Sequence, residues 1–261
     1  MSHAHKYVVE PSRLAWKPFA LGDARETQLQ MYITGSDGGP EAIRAQIPEG
    51  YTVEPHFHYA AQFQVLLDGS MTFPLVRLHA PAIHYTEHST PYGPFVVRDG
   101  HDMLVLHSKP GGLTMMQDKK DRWKANVQGR EFACNAADVK WEPMPGYKVA
   151  RRKRLIPASF GPTADLVEFP SRAEWLPPAN QYGRYEVVQL GSVLVDGREL
   201  GPKSLRFVEP GKPGTALRMG DHGATMIFLT FDEDGSFSGA GNTEEAIARL
   251  EGNERGRGEN E

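Results

Sequence analysis

Ten histidines occur in the chain, and His56, His58, His79, His84, His88, His101 and His107 all fall between residues 56 and 107. The first two stand as "HFH" at the head of the run "EPHFHYAAQFQVLLDGS". Alternate side chains of an extended strand share a face. His56 and His58 therefore come side by side, with Gln62 and Gln64 further along the same face if no bulge intervenes. Paired neutral imidazoles suit Fe, Zn, Ni, Mn or Cu. Gln62 is a candidate ligand through its amide oxygen, but it brings no charge. A site of neutral ligands leaves the ion's charge uncompensated and favours hydroxide or an anionic substrate at the open position. Gln62 would otherwise hydrogen-bond substrate or a metal-bound water and orient it. Glu87 is the nearest acid and a candidate base or ligand. Arg77 and Arg98 would serve as carboxylate clamps if they faced a cavity.

The elements that must carry these residues read as short strands. Apolar runs recur at 42–47, 63–67, 95–98, 102–108, 185–190, 192–195, 204–208 and 224–231, with Gly and Pro between them. The 27 glycines and 20 prolines are spread throughout. This pattern predicts an all-β sandwich or barrel. "FQVLLDGSMTF" and "YEVVQLGSVLV" share a strand, a Gly-Ser pair and a second strand. They suggest one β-unit used twice, at roughly 20–115 and 125–235. "NTEEAIARLEG" (242–252) has an N-terminal cap, early acids and a closing Gly, which predicts a short helix. The polar tail after it is expected to be disordered.

Composition narrows the partners. The 261 residues carry a formal charge of −4 with a pI near 6.2, which argues against nucleic acid or an anionic membrane. The basic run "KVARRKRL" (148–155) has no interleaved aromatics and reads as a solvated strand edge. The single cysteine, Cys134, excludes an internal disulfide, fits a reducing compartment and reads as a buried structural thiol. With no signal-like or membrane-spanning apolar run, the expectation is a cytoplasmic protein. Neither a phosphate-binding glycine loop nor a Gly-x-Ser-x-Gly elbow is present.

The spacing around "HFH" resembles the first motif of the cupins. That motif runs Gly, five residues, His-x-His, three or four residues, Glu, six residues, Gly. Here Gly50, His56, His58, Gln62 and Gly69 match every spacing, with Gln in place of Glu. The second cupin motif is degenerate: Pro91 and Gly93 are present, but Val96 stands where its histidine is expected. A third ligand would come from elsewhere. His84 is the first choice, followed by His88 and His107, with His101 also considered.

The resemblance implies two double-stranded β-helix (jelly-roll) barrels. An N-terminal barrel (1–118) would carry the site, a degenerate metal-free barrel (119–240) would follow, and a helix and tail (241–261) would end the chain. It further implies a divalent transition metal held by His56, His58, His84 and Gln62, with Gln62 and Glu87 in catalytic roles. The expected activity is oxygenase-like, on a small organic molecule. A metal-dependent isomerase or hydrolase of the same fold and a non-catalytic small-molecule-binding cupin are the alternatives. By analogy with cupins, homodimers are expected.

Overall fold

The computed structural model describes residues 7–19, 26–117 and 122–232. The helix expected over 242–252 and the tail lie outside these residues. Within them the regular structure is β-strand, apart from short 3-10 turns such as Ser36–Gly38 and Ala136–Asp138. No helix among the described residues is long and apolar enough to cross a membrane.

The principal strands are β1 (Gln28–Thr34), β2 (Glu41–Ile47), β3 (His56–Phe57), β4 (Gln62–Thr72), β5 (Ala82–Thr86), β6 (Phe95–His107) and β7 (Glu131–Asn135) in the first half. The second half contributes β8 (Arg151–Arg154), β9 (Thr163–Phe169), β10 (Arg184–Val195), β11 (Leu205–Val208) and β12 (Leu217–Thr230). Two antiparallel nine-stranded sheets result. One runs β7-β5-β4-β6-β2-β1, and the other β11-β10-β12-β9-β8. The runs at 95–98 and 102–108 join into the single strand β6, with a register shift between Arg98 and Asp102. Likewise the runs at 185–190 and 192–195 join into β10.

The repeat is visible in the backbone. Gly69 in β4 has φ +76°, and a Cβ there would lie 1.6 Å from the Gly100 carbonyl oxygen. Gly191 in β10 has φ +75°, and a Cβ there would lie 2.2 Å from the Gly223 carbonyl oxygen. Each long strand bends back over its neighbour at a point that only glycine fits.

The strand period of two divides each sheet into two faces. Phe63, Val65, Tyr85 and Leu104 of the first sheet pack against Leu166, Tyr185, Val187 and Ile227 of the second, forming the core between them. The opposite faces enclose two further cores. One contains Leu66, Met71, Phe95 and Met103, and the other contains Val188, Val193, Met219 and Phe228. The halves also trade edge strands. β7, beyond residue 118, pairs with β5 of the first sheet, while Val8–Val9 pairs with β11 of the second.

The basic run becomes β8, paired with β9. Arg151 meets Glu168, Arg152 meets Glu142, and Lys153 donates to the Ala136 carbonyl. Neutralised in this way, it offers no free basic stripe.

Candidate functional site

The expected single strand through "HFH" and Gln62 does not form. β3 ends at Phe57, the chain bends through Tyr59 and Ala60, and β4 starts at Gln62. The residues still converge, from separate strands. His56 exchanges backbone hydrogen bonds with Tyr92, which sets their side chains next to each other. Gln62 lies opposite His107 of β6, and Gln64 opposite His84 of β5. His107 is in turn paired with Glu41 of β2.

Three of these imidazoles are held alike. His56 donates from Nδ1 to the Glu54 carbonyl at 2.7 Å, and His58 donates from Nδ1 to the Gly112 carbonyl. His107 donates from Nδ1 to the Glu41 carboxylate at 2.7 Å. Each bond leaves Nε2 as the unprotonated nitrogen. All three rings line one cavity. The His58 ring centroid is 5.4 Å from that of His56 and 4.8 Å from that of His107. Burial lowers the His56 pKa to about 4 and holds that of His58 well below its usual value, with neighbouring imidazoles adding to the effect at each. Both are neutral at pH 7, as metal ligands must be.

Two of the Nε2 atoms are capped. The Tyr92 hydroxyl donates to His56 Nε2 at 2.6 Å and receives a bond from the Gln64 amide at 3.1 Å. Burial raises the pKa of Tyr92 far above its usual value, so the phenol stays protonated. Gln62 Oε1 stands 3.2 Å from His107 Nε2, while the buried Gln62 NH2 makes no hydrogen bond. A half-turn of the amide presents that NH2 to the imidazole lone pair, the only sense in which a neutral His107 bonds to it.

His84 is fully buried inside the same barrel, but it belongs to another arrangement. Its nitrogens face Gln64 Oε1 at 2.8 Å and Glu131 Oε1 at 2.9 Å, both acceptors. The ring is wedged between Phe73 and Tyr92, with centroids at 4.6 and 5.1 Å. Both ring nitrogens are thus already engaged. Glu87 is turned away: its carboxylate takes Arg130 Nε at 3.2 Å, Nη2 at 2.8 Å and the Arg130 backbone N–H at 3.0 Å. Burial alone would raise its pKa, but Arg130 more than offsets that and holds it below the usual range. Arg130 also binds Asp232, which ties Glu87 into the junction of the two halves. The structure thus brings His56, His58 and Gln62 together, keeps His84 behind Tyr92, and leaves Glu87 outside.

His88 lies just beyond β5, and His101 lines a separate polar recess with Asp68 and Asp102. Arg77 pairs with Asp99 away from the cavity. Cys134 is half-buried on β7, where burial raises its thiol pKa. Glu41 escaped the sequence reading. It has no motif of its own, and only cross-strand pairing puts it beside His107.

Comparison with solved structures decides the architecture. A candidate dioxygenase from Nostoc punctiforme is similar over 89% of this chain and 84% of that one, with TM-score 0.68 and 12% identity. The fold is that of the cupins. Oxalate decarboxylase from Lactobacillus farciminis, in its formate complex, matches over 87% of this chain and 86% of its own, with TM-score 0.61 and 11% identity. Hazelnut vicilin matches over the same shares, with TM-score 0.55 and 10% identity. No family model and no curated protein sequence matches the chain. The cupin fold thus spans an oxalate decarboxylase and a vicilin, so activity must be argued from the site.

The donor set fits a transition ion in chemistry: three imidazoles anchored through Nδ1 around one cavity. As placed, no group of three His, Cys, Asp or Glu among the described residues stands close enough to hold one.

Proposed function

We propose that the first cupin barrel is the site of a metal-dependent enzyme, oxygenase-like, acting on a small organic molecule. His56, His58 and His107 would hold the ion, so His107 replaces His84 as the third imidazole. The observation that carries this is the common anchoring of the three Nδ1–H groups on Glu54, Gly112 and Glu41. Outer acceptors of this kind fix the tautomer and aim of metal-binding histidines. When bound, the ion would supply Lewis acidity and a template for substrate.

The chain's own residues do the rest. Glu41 places a carboxylate one shell behind His107 and returns part of the charge lost by Gln at position 62. Gln62 orients His107 or a group bound beside it. Tyr92 holds a proton 2.6 Å from His56 Nε2 and must swing away, or become a partner of the bound molecule, when His56 is engaged.

Metal analysis of protein purified without a histidine tag tests this reading. Near-stoichiometric metal is expected, lost in His58→Ala and His107→Ala and kept in His84→Ala. Retention in His107→Ala with loss in His84→Ala would restore His84 as the ligand. No metal after reconstitution with each candidate ion would sink the enzyme reading. It would favour a non-catalytic binding cupin, the alternative supported by the capping of His56 and His107 by Tyr92 and Gln62.

A further inference from the structure

We infer that the cavity of the first barrel takes an uncharged, mostly apolar molecule with a single hydroxyl or carbonyl end, and turns carboxylates away. This rests on the reading above that the first barrel carries the site. The cavity measures about 410 Å³, within the range of small-molecule sites. Its walls include Leu29, Ile43, Ile47, Phe95, Met103 and Val105. Phe19, Met31 and Leu113 also line it, and each is 40% exposed. These three give it an apolar mouth open to water.

The three imidazoles, Gln64, Tyr92 and Glu41 cluster together, and Thr27 is the other polar side chain among the described lining residues. No lysine or arginine occurs among the described lining residues. An incoming carboxylate would find no guanidinium fork to receive it and would face the Glu41 carboxylate instead. The protein's own groups would leave its desolvation uncompensated. A hydroxyl is better served, because His58 Nε2 is an acceptor once Nδ1 has donated to Gly112. A carbonyl would take the Tyr92 hydroxyl proton or the Gln64 amide. Arg184 and Arg206, which could recognise a carboxylate, are in the second barrel and already bound to Glu186.

Calorimetric titration tests this on the full chain, both as purified and after dialysis against a chelator. The probes are para-ethyl-, para-propyl- and para-butylphenol and the matching para-alkylbenzoates. Each added methylene should tighten phenol binding about fourfold, the equivalent of ~0.8 kcal/mol. Each benzoate should bind at least about tenfold more weakly than its phenol in the chelator-dialysed protein, where no ion can take the carboxylate. Ile43→Trp in the wall and Met31→Trp at the mouth should each weaken phenol binding while thermal unfolding stays cooperative. Benzoates binding as tightly as phenols, no dependence on chain length, no phenol binding at all, or binding that survives both tryptophans would each overturn the inference. The ranking of ligands and the metal content are separate readouts. Protein that takes up no metal but keeps the ranking fails the metal reading alone, and metal-binding protein whose chelator-dialysed form reverses the ranking fails this inference alone.

Discussion

In the first barrel Gln62, Gln64 and His84 point inward beside a cavity. Adding 122 to each number gives Arg184, Glu186 and Arg206, which occupy the same places in the second. The registers agree, since Gln64 pairs with His84 and Glu186 with Arg206. There the three charged groups close on one another. Glu186, 1% exposed, takes Arg184 Nε at 2.9 Å through one oxygen and Arg206 Nε at 2.7 Å through the other. The outer nitrogens of the arginines go to the Pro178 carbonyl at 2.8 Å and the Thr215 hydroxyl at 2.6 Å. The positions of His56 and His58 are held by Pro178 and Asn180, and that of Tyr92 by Gly214, by the same offset.

One backbone therefore supports two kinds of polar interior. Two arginines and a glutamate satisfy one another and reach across the barrel as a strut. Neutral imidazoles and amides are short and held from behind, and they leave a space with acceptors facing it. The second barrel also serves the first. The Tyr185 hydroxyl lies 3.0 Å from the Glu41 carbonyl and 2.9 Å from the His107 carbonyl, holding the backbone under both residues.

Breaking the strut should have the largest effect. Glu186→Gln leaves two buried guanidinium groups without a counter-charge and should cost about 3–5 kcal/mol in urea unfolding. Replacing Arg184, Glu186 and Arg206 together with apolar residues of similar volume should cost far less. If the single change is as mild as the triple one, the strut reading fails.

The pH response should belong to the first barrel. Burial lowers His56 and His101 from 6.5 to about 4. The folded chain keeps both neutral while the unfolded chain takes up protons below 6.5. Stability should therefore fall as pH drops from 6.5 towards 4, by roughly 2 kcal/mol per histidine at pH 5 relative to pH 7. Chemical denaturation of metal-free protein at the two pH values measures this. His101→Leu should flatten the slope.

Tyr185→Phe removes a single buried hydroxyl and should cost about 1–2 kcal/mol. If Tyr185 positions the site, this variant should also weaken metal retention, and the equivalent change Phe63→Tyr should not restore it. Gln62→Glu restores the motif's carboxylate and should strengthen metal retention against a chelator, about tenfold by analogy with outer-shell changes. A weaker hold would mean that Gln62 faces away from the ion. The smallest effect should come from Arg151→Ala at the strand edge, where an exposed pair contributes below about 1 kcal/mol.

The all-β class, the duplicated unit and the closeness of His56 and His58 were legible because each is local. Turn residues punctuate the strands, the Gly-Ser pairs recur, and Gly50 and Gly69 bracket the histidines at fixed spacing. That His107 rather than His84 lines the cavity was not legible. Both are histidines on strands that flank β4, and sequence distance favours His84. What separates them is placement: His84 meets Gln64 and Glu131 behind Tyr92, whereas His107 meets Glu41 and Gln62 with its ring lining the cavity. Glu87 misled for a related reason, since Arg130 claims it from 43 residues away.

Sequence alone determined that this chain would build β-units with paired imidazoles at the head of one of them. Strand period and turn chemistry act over a few residues and need no distant partner. Tertiary structure decided which imidazole lines the cavity beside that pair, that Glu41 stands behind it, and that the matching positions of the second half close into an ion triad. Those outcomes depend on antiparallel register between strands far apart in the chain, and register is set by which faces the two sheets bury against each other.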